Sequence, residues 1–241
     1  MLAIGVVSSA IGIALALSIH WFPVRASTQA KAVDDLWDVL LIASVPIFVL
    51  VEVVVLYCAW KFRMRPGEEL NDGEPIHGNT KLEVLWTAIP ALLIFSLCTY
   101  AYIVLRDIEK ASAKDQMAVD VTGQQFAWSY EYKSKGKPAV KSQTLYLPEG
   151  RSVEFRVHSK DVIHSFWVPA FRVKIDAVPG ITTRTRATPS RKGTYSLVCA
   201  ELCGLGHSTM RSTVSVLGRR AFDGWLAKQQ TAKPAAGAAA S

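Results

Sequence analysis

The sequence predicts a membrane-anchored, mainly β protein: a hairpin of transmembrane helices followed by an exported β domain. Three observations carry this. Most of the hydrophobic excess of the 241-residue chain sits in three apolar blocks within its first 105 residues. Only 20% of the residues are charged. Beyond Leu105 the apolar residues stop running continuously and begin to alternate, which is the period of half-buried strands.

The first block, Leu2 to Phe22, has no Lys or Arg ahead of it and ends near Val24-Arg25-Ala26, a pattern suited to small-residue cleavage. Residues 1–26 are therefore read as a signal peptide or as an extra transmembrane helix. Residues 27–106 are read as the hairpin, with spans at 36–60 and 84–105. Each span reaches the roughly 20 residues needed to cross a hydrocarbon core of about 30 Å. Lys61, Arg63 and Arg65 follow the first span and Lys81 precedes the second, so the positive-inside rule puts their connection in the cytoplasm and everything after Arg106 outside. The connection, "RPGEELNDGEPIHGNT", is polar and rich in Pro and Gly, which marks a loop. Asn79 or Thr80 is placed to cap the helix that begins near "KLEVLW".

In residues 107–230 the runs "MAVDVT", "QTLYLP", "SVEFRV", "FRVKID", "TTRTRAT", "TYSLV" and "STVSVL" are short, β-branched or aromatic, and separated by turn residues. Such spacing predicts a compact sandwich or barrel. A short helix is expected over Arg219 to Gln230, and a disordered Ala/Gly/Lys tail over 231–241. The formal net charge is +7, but from Asp107 onward 20 Lys and Arg face 11 Asp and Glu, a balance of +9. Export behind two spans, and the lack of any basic run interleaved with aromatics, exclude a nucleic-acid partner. A solvated surface beside anionic lipid heads accounts for the charge.

Chemistry concentrates in "VCAELCGLGHSTM", where Cys199, Cys203, His207 and Met210 share a loop punctuated by Gly204 and Gly206. Cys58 and Cys98 lie within the apolar blocks and read as fillers. A disulfide between Cys199 and Cys203 suits an exported domain, but it closes too short a ring to gain much and leaves the His and Met without a purpose. Structural zinc prefers four Cys/His ligands. Thiolate, imidazole and thioether together fit copper, with a second His from a distant strand. Two cysteines in place of one allow two thiolates to bridge two copper ions. Of the other histidines, His158 occupies an ordinary strand position in "SVEFRVHS", whereas His164 in "DVIHSFWVP" has a rigid, apolar setting.

These motifs are together similar to subunit II of the haem-copper cytochrome c oxidases. "CAELCGLGHSTM" resembles that family's CuA loop, "DVIHSFWVPAFRVKIDAVPG" the segment that supplies its other His, "GNTKLEVLWTAIPALL" the start of its second transmembrane helix, and "VTGQQFAWSYEY" its aromatic strand. The resemblance spans Leu36 to about Trp225 and implies a cupredoxin-like Greek-key β-barrel holding a binuclear copper centre. It makes Cys199 and Cys203 the bridging thiolates, gives His164 and His207 one copper each, and makes Met210 a weak ligand to one ion and the Glu201 carbonyl a ligand to the other. It directs the Glu201 carboxylate toward a magnesium or manganese ion at the interface with catalytic subunit I, sets Glu83 at the mouth of a proton channel, and puts Asp176 at a subunit interface. The implied function is electron transfer from a cytochrome c to the haem-bearing subunit that reduces oxygen, within a proton-pumping enzyme that also contains subunit III. The implied setting is a bacterial-type cell membrane, with no catalytic residue in this chain itself.

One position departs from the pattern. Phe126 stands where many members of the family carry the Trp that receives the electron, while Trp128 is kept two residues on and is expected on the same strand face. The acidic docking face is also thin, since only Glu131 and Asp161 remain and Lys160 adjoins the latter. A less basic or membrane-tethered donor is therefore expected. Glu52, costly in lipid, is expected to face another subunit or helix. A quinol oxidase subunit would lack the soft ligands, and nitrous oxide reductase would add a large catalytic domain. The alternative outside an oxidase, a membrane-anchored copper electron-transfer or copper-delivery protein, requires in its delivery form an exposed, exchangeable site.

Overall fold

The apolar blocks fold as helices because a chain in lipid must satisfy every backbone group within its own segment. The structure, a computed structural model, describes residues 2–67, 75–110, 116–134 and 136–231. Part of the loop between the spans and the tail from 232 onward lie outside the described residues. Helix α1 covers Leu2–Ser18, α2 Ala30–Lys61 and α3 Thr80–Ile108. Among the described residues α2 and α3 are long and apolar enough to cross a membrane, whereas α1 is shorter. Their large side chains are left open to the surroundings, with Phe48 65% and Phe95 73% exposed, as lipid- or subunit-facing surfaces require. Glu52 is exposed on α2.

The start of α3 is capped. Asn79 Oδ1 accepts from Leu82 N at 3.2 Å, and the Glu83 carboxylate accepts from Asn79 N at 3.1 Å. This is a reciprocal cap of the capping-box kind, so Glu83 has a local structural task at the helix entrance.

The segment 22–33 groups with the β domain, and not with the helices as a boundary at residue 27 would have it. Ala26 N donates to Ala170 O at 2.9 Å, Ser190 N donates to Ala26 O at 2.9 Å, and Ser27 Oγ donates to Phe171 O at 2.9 Å. Ala26 and Ala30 are fully buried. Small residues are needed there because the strap lies flat on the domain.

Among the described residues the β domain has ten strands: β1 Met117–Gln124, β2 Ala127–Tyr132, β3 Val140–Ser142, β4 Leu145–Pro148, β5 Val153–Ser159, β6 His164–Val168, β7 Val173–Ala177, β8 Thr183–Ala187, β9 Gly193–Cys199 and β10 Arg211–Leu217. They form two five-stranded sheets in the orders β3-β2-β1-β5-β8 and β4-β10-β9-β6-β7. Within them β1–β5 and β4–β10 run parallel and the other pairs antiparallel. The inward-facing residues Val119, Val121, Tyr130, Phe155 and Val157 of the first sheet and Phe166, Leu197, Val214 and Val216 of the second make one core. Helix α4, Arg219–Thr231, adds Phe222 to it. Each predicted run contains a strand, although "FRVKID" starts two residues early, with Phe171 in a short 3-10 turn and Arg172 in the left-handed region, and "QTLYLP" starts two residues before β4. Phe126 does not share a strand face with Trp128: it lies in the β1–β2 turn and is 39% exposed, while Trp128 is 2% exposed.

Candidate metal centre

Three donors stand at strand ends, and Cys203 and His207 lie in the loop between β9 and β10. His164 opens β6, Cys199 closes β9, and Met210 immediately precedes β10. The register aligns them: Phe166 pairs with Cys199, and Arg211 with Val198. Cys199 N donates to Met210 O at 3.0 Å and Ala200 N to Ser165 O at 3.0 Å, which closes the base of the 199–210 loop. The loop then turns on itself through His207 N to Gly204 O and Thr209 N to Gly206 O.

The donors converge in pairs. Cys199 Sγ lies 3.9 Å from His164 Nδ1 and 3.3 Å from the Glu201 carbonyl oxygen. Cys203 Sγ lies 3.7 Å from His207 Nδ1 and 3.8 Å from Met210 Sδ. The two sulfurs are 4.0 Å apart. Donors bound to one ion at about 2.0–2.3 Å with open angles stand roughly 3.5–4 Å from one another, so these spacings need little adjustment on metal binding. The site is buried: His164 and Met210 are 0% exposed, Cys203 4% and Cys199 8%. His164, Cys199, Cys203 and Met210 thus form a site whose soft donors suit copper. Glu201 itself is exposed. Asp176 is half exposed on β7, with Lys174 Nζ at 3.8 Å.

Asp161, read from sequence as part of a docking face, turns inward instead. Its Oδ1 lies 2.8 Å from His164 Nε2 and accepts from Val162 N at 2.7 Å and from Ser159 Oγ at 3.2 Å; its Oδ2 accepts from Gln125 N at 2.7 Å. Burial acts to raise its pKa, but the bonds from Gln125, His164, Val162 and Ser159 outweigh it and hold the carboxyl well below the usual carboxylate range. A carboxylate on Nε2 fixes the imidazole with Nδ1 toward the sulfurs. Burial, and then the neighbouring Cys199, push the Cys203 thiol up to about 11 in the metal-free chain, so a metal that binds there displaces a proton.

Room for this arrangement comes from two glycines. A Cβ on Gly123 would lie 3.0 Å from His164 Cδ2 and 3.2 Å from Trp128, and one on Gly206 would lie 2.5 Å from the Phe126 ring. Phe126 therefore rests directly on the ligand loop. Trp128 meets His164 edge-on at 6.0 Å and Phe166 at 5.9 Å, behind the site. His158 pairs with Thr122 at 3.1 Å and stays away from the cluster. Sequence reasoning missed Gln125 and the inward turn of Asp161; the three-residue step from Asp161 to His164 was the available signal.

Comparisons with known proteins show the family. Residues 138–217 match the cytochrome c oxidase subunit II periplasmic domain, and residues 14–104 match its transmembrane domain. The chain is 33% identical to cytochrome c oxidase subunit 2 of Thermostichus vulcanus, over 86% of this chain and 78% of that protein. It is 32% identical to the subunit 2 of Synechocystis sp., over 94% and 81%. The crystal structure of the periplasmic domain of subunit II from Bradyrhizobium japonicum aligns at 29% identity with a TM-score of 0.46, over 49% of this chain and 96% of that one. The two apolar helices and the match to a periplasmic domain make this a membrane protein with an extracytoplasmic domain. On these sequence matches, the chain belongs to the cytochrome c oxidase subunit II family.

Proposed function

We propose that the chain is the electron-accepting subunit of a proton-pumping cytochrome c oxidase and holds a binuclear copper centre of the CuA type. One observation carries this: two thiols 4.0 Å apart, each with its own histidine Nδ1. In this reading Cys199 and Cys203 would bridge the two ions, His164 and His207 would each bind one, and Met210 and the Glu201 carbonyl would each be a weaker ligand to a different ion. Bound copper supplies one-electron storage shared over two centres. The chain supplies rigidity, because strand ends and the Asp161 carboxylate hold the donors in one arrangement whatever the charge. Burial of the donors argues against a copper-delivery module, which would need an exchangeable site.

Phe126, exposed above the ligand loop, is the proposed point at which the electron arrives, with Trp128 packed behind His164. The donor is a cytochrome c that is less basic than usual or tethered to the membrane. Asp120 and Glu131 share Lys133 at 2.6 and 3.9 Å, which offsets part of their charge, and Asp161 is occupied by His164. Fast association with a basic soluble cytochrome c, slowing with salt, would overturn that part. The onward partner is the haem-bearing catalytic subunit, with subunit III beside it. Glu201, exposed at the loop surface, would reach a magnesium or manganese ion at that interface, Asp176 would contact the same partner, and Glu83 would stand at a proton-channel mouth. Reconstitution with copper and measurement of metal content and the near-infrared and electron paramagnetic resonance spectra tests the centre: two coppers and a mixed-valence signal are expected, and a single-copper signal or no uptake refutes it.

A further inference from the structure

We infer that Gln125 is a positioning residue that ties the His164 arm of the site to the Cys203 loop. This rests on the copper reading above and deepens it. The His164 arm is well braced, since Asp161 takes bonds from Val162, Ser159 and His164 itself, and Lys160 N donates to Gly123 O at 3.1 Å. The Cys203 loop is not. Across residues 201–209 its hydrogen bonds among the described residues are internal turns and sulfur contacts, Cys199 Sγ on the Glu201 carbonyl, Arg211 reaching back to Ser208 O, and one bond from outside the 199–211 segment.

That bond comes from Gln125, whose side-chain Nε2 donates to Cys203 O at 2.5 Å. Its backbone N–H donates at the same time to Asp161 Oδ2 at 2.7 Å. A single residue of the β1–β2 turn therefore spans both arms, one with its main chain and the other with its side chain. The adjoining peptide to Phe126 is cis. The fit is close, because a Cβ on Gly204 would lie 2.9 Å from Gln125 Nε2 and 3.3 Å from the Phe126 ring. The backbone bond survives any side-chain substitution except proline, so side-chain variants release the Cys203 loop and leave the His164 brace in place. Gln125 thus sets the distance between the two halves of the donor set without touching a metal position.

The test uses the full-length chain in detergent, with Gln125→Glu, which keeps the shape but loses the donor, and Gln125→Ala, which loses both. In the copper-free chain, the rate at which iodoacetamide alkylates Cys203 reports opening of the loop. It should rise about fivefold in both variants, the effect of one hydrogen bond on an opening equilibrium, with the melting temperature close to that of the wild type. In the copper-loaded chain, release to a chelator should quicken by a similar factor, and the copper hyperfine pattern should become unequal between the two nuclei. Unchanged alkylation in both variants overturns the inference, as does a wild-type rate in Gln125→Glu with a raised rate in Gln125→Ala, which would make the effect one of shape. A wild-type chain that takes up no copper pair defeats the copper reading alone, because the alkylation arm still decides the tie.

Discussion

The two ends of the first sheet solve different problems with the same strands. Where β1 and β5 begin, Glu154 is nearly buried and gathers Arg156 at 2.9 Å, Arg186 at 3.1 Å, Arg184 at 4.0 Å and the Gln116 amide at 3.1 Å. Where they end, some 16 Å of strand away, Gly123 makes room for His164, and the donors are sulfur and imidazole. One end stabilises by charge and depends on pH. The other holds soft donors, and the carboxylate bonded there, Asp161, faces the outer nitrogen of His164 and not the sulfurs. The difference shows how a strongly basic domain keeps its own charges apart from the proposed copper site.

The largest expected effect breaks what both ends share. Phe166→Ala removes a fully buried ring that packs on Phe155 at 5.3 Å and Trp128 at 5.9 Å. It should cost about 3–5 kcal/mol, seen as a lower melting temperature together with loss of copper. Gly206→Val comes next and acts on the site end alone. With a Cβ 2.5 Å from the Phe126 ring, it should weaken copper affinity about 10–100-fold in a chelator competition while the melting temperature moves little.

Glu154→Gln acts on the charged end alone. Hydrogen bonding from Arg156, opposed by burial and assisted by Arg186, lowers the Glu154 pKa. Its folded-state value therefore lies below the unfolded one, so its stabilisation is full above the ordinary glutamate range and fades as pH falls through the folded value. The variant should lose about 1 kcal/mol at neutral pH, a gap that closes in acid, with the copper spectrum unchanged throughout. The smallest effect is that of Leu205→Ser. Leu205 is fully exposed at the tip of the ligand loop, and stability should shift by less than about 0.5 kcal/mol.

Sequence made the alternating strands legible because each buries one face only. β6 was harder: four of its five residues are buried, so no alternation marks it, and His164 was found through its neighbours and the ligand loop. The donor set was readable because Cys, Cys, His and Met fall within one loop. Asp161 was misjudged because a carboxylate beside Lys160 looks solvated in one dimension, and only the fold shows it bonded to His164 and Gln125. Phe126 was put on a strand face because alternation was counted one step too early; the strand begins at Ala127. The strap at 22–33 was invisible for a related reason, since its small residues carry no pattern until Ala170 and Ser190 meet them.

The central claim is that Cys199 and Cys203 share two copper ions, each completed by one histidine. The most direct test is electron paramagnetic resonance of the copper-loaded full-length chain beside His207→Ala. The wild type should show hyperfine structure from two equivalent copper nuclei, and the variant should lose that equivalence while His164 still holds its ion. Hyperfine structure from a single nucleus in the wild type, unaltered by His207→Ala, would contradict the account.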